Sequence, residues 1–191
     1  MRQRAHDNRG IALVEAAFVT PVFFSLILGV AEIGLAMNDS LALNSAVRAS
    51  ARVASTSGAD IYSDWTILSE FHDDSTALDE HKIQQIVIYH PASFGAAPTA
   101  SCQAGTPAAG VCNTYTYTDM SRPKTDFGCL STKNLDRYWC PSSRKTTLAT
   151  TGTDYVGVWV KIQHPWLTKA FGNTKTMTES SVIRIEPTKK S

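Results

Sequence analysis

The sequence is short of charge and has almost no imbalance of charge. Charged residues make up 18% of the 191-residue chain, and 18 basic side chains against 17 acidic ones leave a formal charge of +1. Soluble domains usually carry about 25% charged residues. A near-neutral chain without a basic stripe is not a general nucleic-acid binder, so no nucleic-acid partner is expected. A hydrophobic content of 43% excludes wholesale disorder. Also missing are a Gly-x-Ser-x-Gly elbow, a Walker loop, a dinucleotide glycine fingerprint and a His-Glu-x-x-His pair. The chain is therefore expected not to be an enzyme: it implies no catalytic residue and no cofactor. The densest titratable cluster, Glu70, His72, Asp73 and Asp74 followed by Asp79, Glu80 and His81, reads as a solvated polar face, and no metal is expected there.

The most telling absence is local. From Ile11 to Met37 the chain has no Lys or Arg and only two acids, Glu15 and Glu32, whereas the ten residues before it hold Arg2, Arg4 and Arg9 against Asp7. A helix of 27 residues covers roughly 40 Å, enough to cross a hydrocarbon core of about 30 Å. The arginines precede the span, so the positive-inside rule puts the N-terminus in the cytoplasm and the C-terminal part outside. A secretory signal peptide also joins a basic start to an apolar run, but its core is about 7–15 residues and ends in a cleavage region. Here the pattern continues past the apolar run as helix to about Ser55, with Ala42, Ala46, Ala49 and Val53 forming a narrow seam and Arg48 and Arg52 on another face.

Glu15 is the informative residue, because an ionisable group inside a span is costly and is a functional candidate by default. Gly10 lies just on the polar side of the boundary. Cleavage after Gly10 would expose an amine on Ile11, four residues before Glu15. In a bundle of parallel helices, Glu15 of one subunit would then pair with the Ile11 amine of its neighbour and fix their axial stagger. Pro21 removes the amide that would bond the carbonyl of Ala17, and membrane helices tolerate this where neighbours satisfy the freed group. Ser25 and Gly29 form a small-xxx-small pair that permits close helix approach.

The stretch Arg9-Gly10-Ile11-Ala12-Leu13-Val14-Glu15-Ala16-Ala17, with Pro21, Glu32 and the Ala/Arg-rich helix after it, resembles the TadE-like minor pilins (pseudopilins) of the tight-adherence (Tad/Flp) branch of the type IV pilus systems. The closing Arg184-Ile185-Glu186-Pro187 is similar to the end of many such chains. The resemblance implies a class III signal peptide, residues 1–10, cut after Gly10 by a separate membrane-embedded prepilin peptidase. It implies as partners that peptidase, other pilins and minor pilins, the inner-membrane assembly platform and membrane lipid. The major pilin of the family typically has Tyr after the matching Glu, where this chain has Ala16, and is much shorter. A minor component is therefore implied, TadE-like rather than the related TadF-like, held in the bacterial inner membrane and a candidate for incorporation into a pilus.

The rest of the chain, residues 56–191, reads as an exported α+β domain. Asp64 to Phe71 suggests a short helix on Trp65, Leu68 and Phe71. Strands are expected at Gln84–His90, Tyr155–Gln163 and Met177–Glu186, the second with one buried face. His90 and His164 read as strand-end residues, and a helical turn is expected around Trp166 to Phe171. The segment 91–153 has 18 Ser or Thr, 5 Gly and 5 Pro in its 63 residues, and it holds all four cysteines. An even count in an exported domain reads as disulfides. Four cysteines allow three connectivities; Cys102–Cys112 with Cys129–Cys140 is expected, and the spacing disfavours zinc. This segment is expected to be a stapled surface insertion, with a hairpin at Asn113 to Thr118 and Trp139 packed on its disulfide. The fold class is thus α+β: a long N-terminal membrane-spanning helix packed on a small antiparallel sheet. The functional expectation is assembly, priming or capping of a pilus. An uncleaved membrane-anchored binding or adhesive module is the alternative, with the insertion as its working surface.

Overall fold

The computed structural model describes residues 9–148, 152–169 and 172–187. Residues 1–8 of the expected leader lie outside them. Helix α1 runs unbroken from Arg9 to Ser57, 49 residues with Pro21 inside it. Its length, about 73 Å at 1.5 Å per residue, exceeds twice a bilayer core. Gly58, at φ +53°, ends the helix in the left-handed conformation that glycine adopts without a Cβ penalty. Helix α2 (Ser63–Asp74) then turns back along it, burying Ile67, Leu68 and Phe71. Trp65 is only half-buried, and its indole N–H donates to the Arg122 carbonyl at 3.2 Å.

Four strands follow: β1 (Ile83–Tyr89), β2 (Cys112–Tyr115), β3 (Tyr155–Pro165) and β4 (Thr174–Arg184). They form an antiparallel sheet in the order β2-β1-β3-β4. The four-residue helix α3 (Ala100–Gln103) lies between β1 and β2. The period-2 pattern of β3 does what alternation requires: Val156, Val158, Val160 and Ile162 face one cluster with Ile86 and Ile88 of β1. That cluster is closed by Leu43, Ala46, Val47, Ala51 and Ala54 of α1 and by α2.

Five expectations need correction. The α1 seam is wider than the Ala42/Ala46/Ala49/Val53 row: Leu43, Ala46, Val47, Ser50, Ala51 and Ala54 are buried, because the helix is covered by both the sheet and α2. The sheet has two covered faces, not one. Val87 and Tyr89 of β1 and Trp159 of β3 form a second cluster with Cys102 and Cys112. Segment 91–153 is not a surface appendage. It sends Tyr115, Met120, Phe127 and Trp139 into the main core and supplies edge strand β2. No hairpin forms at 113–118: β2 pairs with β1, and Tyr117–Asp119 closes in a 3-10 turn capped by Thr116 and Asp119. Around Trp166 the described residues make bends, not a helical turn, and Phe171 lies outside them.

The disulfides join Cys102 to Cys112 and Cys129 to Cys140. Each spans a local loop, a cross-link that by chain entropy stabilises by about 3 kcal/mol. Trp139, beside Cys140, has two ring partners of its own. It stacks on His90, with ring centroids 5.5 Å apart, and carries the Arg144 guanidinium 4.2 Å from its ring.

Candidate functional site

The sequence-predicted positions and the domain occupy different ends of α1. Gly10, Ile11, Glu15 and Pro21 all lie on a stretch that is exposed almost throughout from Gly10 to Ala31. A Cβ built on Gly10 would meet nothing within 4 Å. Phe18, Val22, Phe23, Phe24 and Leu26 are exposed around the same stretch. So many exposed large apolar side chains have no rationale in water, where patches of this kind mark interaction with a membrane or a partner. Inside the stretch, the Ser25 hydroxyl donates to the Pro21 carbonyl at 2.8 Å, so this serine is used locally. The four cysteines are all in the domain, remote in sequence from this stretch.

At Glu32 the helix changes character. Glu32, Ala36, Asp39 and Leu43 are buried, at i, i+4, i+7 and i+11, and they start the seam that runs on to Ala54. The covering element is the lower end of the β3–β4 hairpin. Asp39 Oδ2 accepts from Lys82 Nζ at 2.7 Å and lies 2.6 Å from His164 Nδ1. Two turns nearer the N-terminus, Glu32 Oε1 accepts the backbone N–H of Thr168. The spacing follows from geometry. The seven residues from Glu32 to Asp39 rise about 10 Å along the helix, and the chain from His164 through the bends at Leu167 and Thr168 spans that rise.

This junction ties three parts of the chain to one carboxylate: α1 through Asp39, the turn just before β1 through Lys82, and the end of β3 through His164. Removing one partner of a buried charge pair typically costs about 3–5 kcal/mol, because the other is left uncompensated. Glu32 is 1% exposed, and among the described residues its Oε2 has no hydrogen-bond partner.

A second buried polar cluster fixes α2 to the 91–153 segment. Asp64 is fully buried and accepts from Arg144 Nη2, from Asn113 Nδ2 at 2.8 Å and from the Tyr115 hydroxyl at 2.6 Å. Burial pushes the Tyr115 hydroxyl well above its ordinary range, and the neighbouring Asp64 carboxylate adds to the shift. Asn113 Oδ1 in turn accepts the backbone N–H groups of Tyr138 and Trp139. Asp136 accepts N–H bonds from Gly128 and Cys129. Burial raises its carboxyl above the usual range, and those two bonds oppose the rise. These are scaffold chemistry: every acceptor is turned toward a donor of the same domain. The open cleft of about 500 Å³ between His90, Pro98 and Tyr155 pairs His90 with Asp154 only at 3.9 Å. Among the described residues no group of three His, Cys, Asp or Glu is arranged to hold a metal ion.

Sequence reasoning missed the junction. His164 does lie at the end of β3, as its sequence suggests, but nothing in the sequence marked it as buried against Asp39. A signal was present in the i, i+4, i+7, i+11 spacing of Glu32, Ala36, Asp39 and Leu43. Two acids on the core-facing row of a helix require partners elsewhere in the chain.

By length and composition α1 is the single described helix apolar enough to cross a membrane, and its most apolar window is wholly unburied. Neither a curated protein nor a solved structure matches the chain. The family model described as TadE-like protein matches residues 10–52, which cover the exposed stretch and most of the buried seam of α1. Over residues 10–52, then, the chain is similar to TadE-like proteins.

Proposed function

We propose that this chain is a minor pilin, or pseudopilin, which serves assembly, priming or capping of a tight-adherence type IV pilus and is matured by cleavage after Gly10. The observation that carries the reading is the division of α1. About 22 residues project bare and apolar from a domain that packs only on the remainder of the same helix. Such a helix has a membrane to cross first and other helices to pack on afterwards. The role is structural and not enzymatic. The peptidase, other pilins and the inner-membrane assembly platform are its partners, with the N-terminus cytoplasmic and the domain outside. Glu15, exposed in the single chain, is free to meet the Ile11 amine of a neighbour.

The test is intact-mass and N-terminal peptide mapping of the chain made beside its own prepilin peptidase. A processed chain begins at Ile11, and Gly10→Val blocks the cut. The open space at Gly10 means that this substitution has no clash to cause within the fold. Glu15→Ala is expected to leave insertion intact and to impair assembly. Retention of Met1 beside an active peptidase would overturn the maturation step and leave an uncleaved anchored binding module, with the His90–Tyr155 cleft as the place to look for its ligand.

A further inference from the structure

The tip of the β3–β4 hairpin ends at a level on α1 that the apolar length of the helix also picks out. From Gly10 to Ala31 the exposed stretch is 22 residues, about 33 Å against a hydrocarbon core of about 30 Å. Glu32, the first buried residue of the seam, therefore falls at the outer edge of the bilayer when that stretch spans it. At this same residue the hairpin meets the helix, where the Thr168 N–H donates to Glu32 Oε1. The domain thus reaches down along the helix to the membrane boundary.

The residues it brings there have the composition of an interface. Trp166 stacks edge-on against His164, with ring centroids 5.1 Å apart. Leu167 is 69% exposed at the tip, although the chain has a core in which to bury leucine. Lys169, exposed, sits at φ +58° in the turn, and Lys175 is exposed on the returning strand opposite His164. Tryptophan settles at the headgroup level, an aliphatic side chain gains by entering the acyl boundary, and lysine is attracted to lipid phosphate. Continuity with the spanning stretch selects lipid as the occupant of this patch.

We propose that the β3–β4 tip, Trp166–Lys169, is a second membrane contact: it rests in the outer headgroup layer beside the helix exit, with Leu167 entering the acyl boundary and Lys169 on phosphate. The contact covers the Glu32 carboxylate at the edge of the hydrocarbon and orients the domain on the bilayer, where a single helix alone would leave it free to swivel. The inference rests on the reading of α1 as a membrane anchor.

The full chain is reconstituted into vesicles of phosphatidylcholine and phosphatidylglycerol in equal parts, with or without bromine on the acyl chains near the headgroup. Flotation reports anchoring, and tryptophan emission reports the tip. The expected result is co-flotation, with emission quenched by the brominated lipid. That quenching disappears in Trp166→Phe and shrinks in Leu167→Asp, while both variants still float. A chain that floats but is not quenched overturns the tip contact and leaves the anchor standing. Quenching that survives Trp166→Phe also overturns it, because Trp65, Trp139 or Trp159 is then the residue near lipid. A chain that fails to float overturns the anchor reading and the tip contact together.

Discussion

Residues 10–31 and 32–57 of α1 belong to one unbroken helix, yet they meet different surroundings. The first stretch exposes Phe18, Phe23, Phe24 and Leu26 and touches almost nothing of its own domain. The second buries a row of mostly small residues under a sheet and another helix. Helical propensity does not separate the two, and neither does hydrophobicity: the more apolar half is the bare one. What separates them is side-chain size along the covered row. Ala36, Ala46, Ala51 and Ala54 let strands and α2 approach closely, whereas the bulky all-round surface of the first stretch suits a fluid apolar solvent.

The sharpest way to break this comparison is to truncate one leucine in each half. Leu43→Ala is expected to cost about 2–5 kcal/mol by opening a cavity under the sheet. Leu26→Ala is expected to stay within about 0.5 kcal/mol, as surface changes do. Thermal unfolding of the full chain in detergent reads both. Equal losses would mean that the bare half is part of the cooperative unit.

A smaller contrast uses glycines. A Cβ on Gly157 would stand 2.3 Å from the Tyr89 ring, so Gly157→Ala must displace that ring and is expected to cost about 1–3 kcal/mol. A Cβ on Gly29 meets nothing within 4 Å, so Gly29→Ala should leave the same unfolding midpoint in place. Tyr89 is held where it is by burial, which pushes its hydroxyl up to about 12, and by its bond to the Ala96 carbonyl at 2.8 Å. A midpoint unmoved by Gly157→Ala would show the second cluster to be loose.

The smallest expected effect is a pH dependence confined to the domain. The Asp136 carboxyl is raised by burial, so the native state holds its proton more tightly than the unfolded chain does. Its contribution is full below the unfolded value of about 3.9 and is lost as pH rises through the elevated native value. Stability of the wild type relative to Asp136→Asn should therefore fall across that window, read as the difference between two unfolding series. A difference that rises with pH would mean that the Gly128 and Cys129 N–H bonds outweigh burial.

Local periodicity carries a good part of this molecule. The apolar run without basic residues from Ile11 to Met37, the helical seam from Ala42 to Val53 and the alternation of Val156, Val158, Val160 and Ile162 make α1 and β3 legible, because each is dictated by neighbours in sequence. The resemblance of Arg9–Ala17 to pilins belongs to the same local level, and the TadE-like match over residues 10–52 lies on that helix. Edge strand β2 was not legible as such. Cys112–Tyr115 is four residues long, sits in a Ser/Thr-rich segment and becomes a strand only because β1 offers it a free edge. The buried Asp64, Asn113, Tyr115 and Arg144 cluster was also hidden, since its other members lie 49 to 80 residues from Asp64 and only the fold brings them to it.

Sequence alone suffices for a long helix whose apolar first half has no Lys or Arg after Arg9, for an antiparallel α+β domain after it and for cysteines in two local pairs. Those outcomes rest on short-range periodicity and on composition. Tertiary structure alone decided where that helix stops being bare. The hairpin must fold back far enough for His164 to meet Asp39 and Thr168 to meet Glu32, and although the helical row marks both acids as core-facing, local pattern cannot name partners more than 120 residues away.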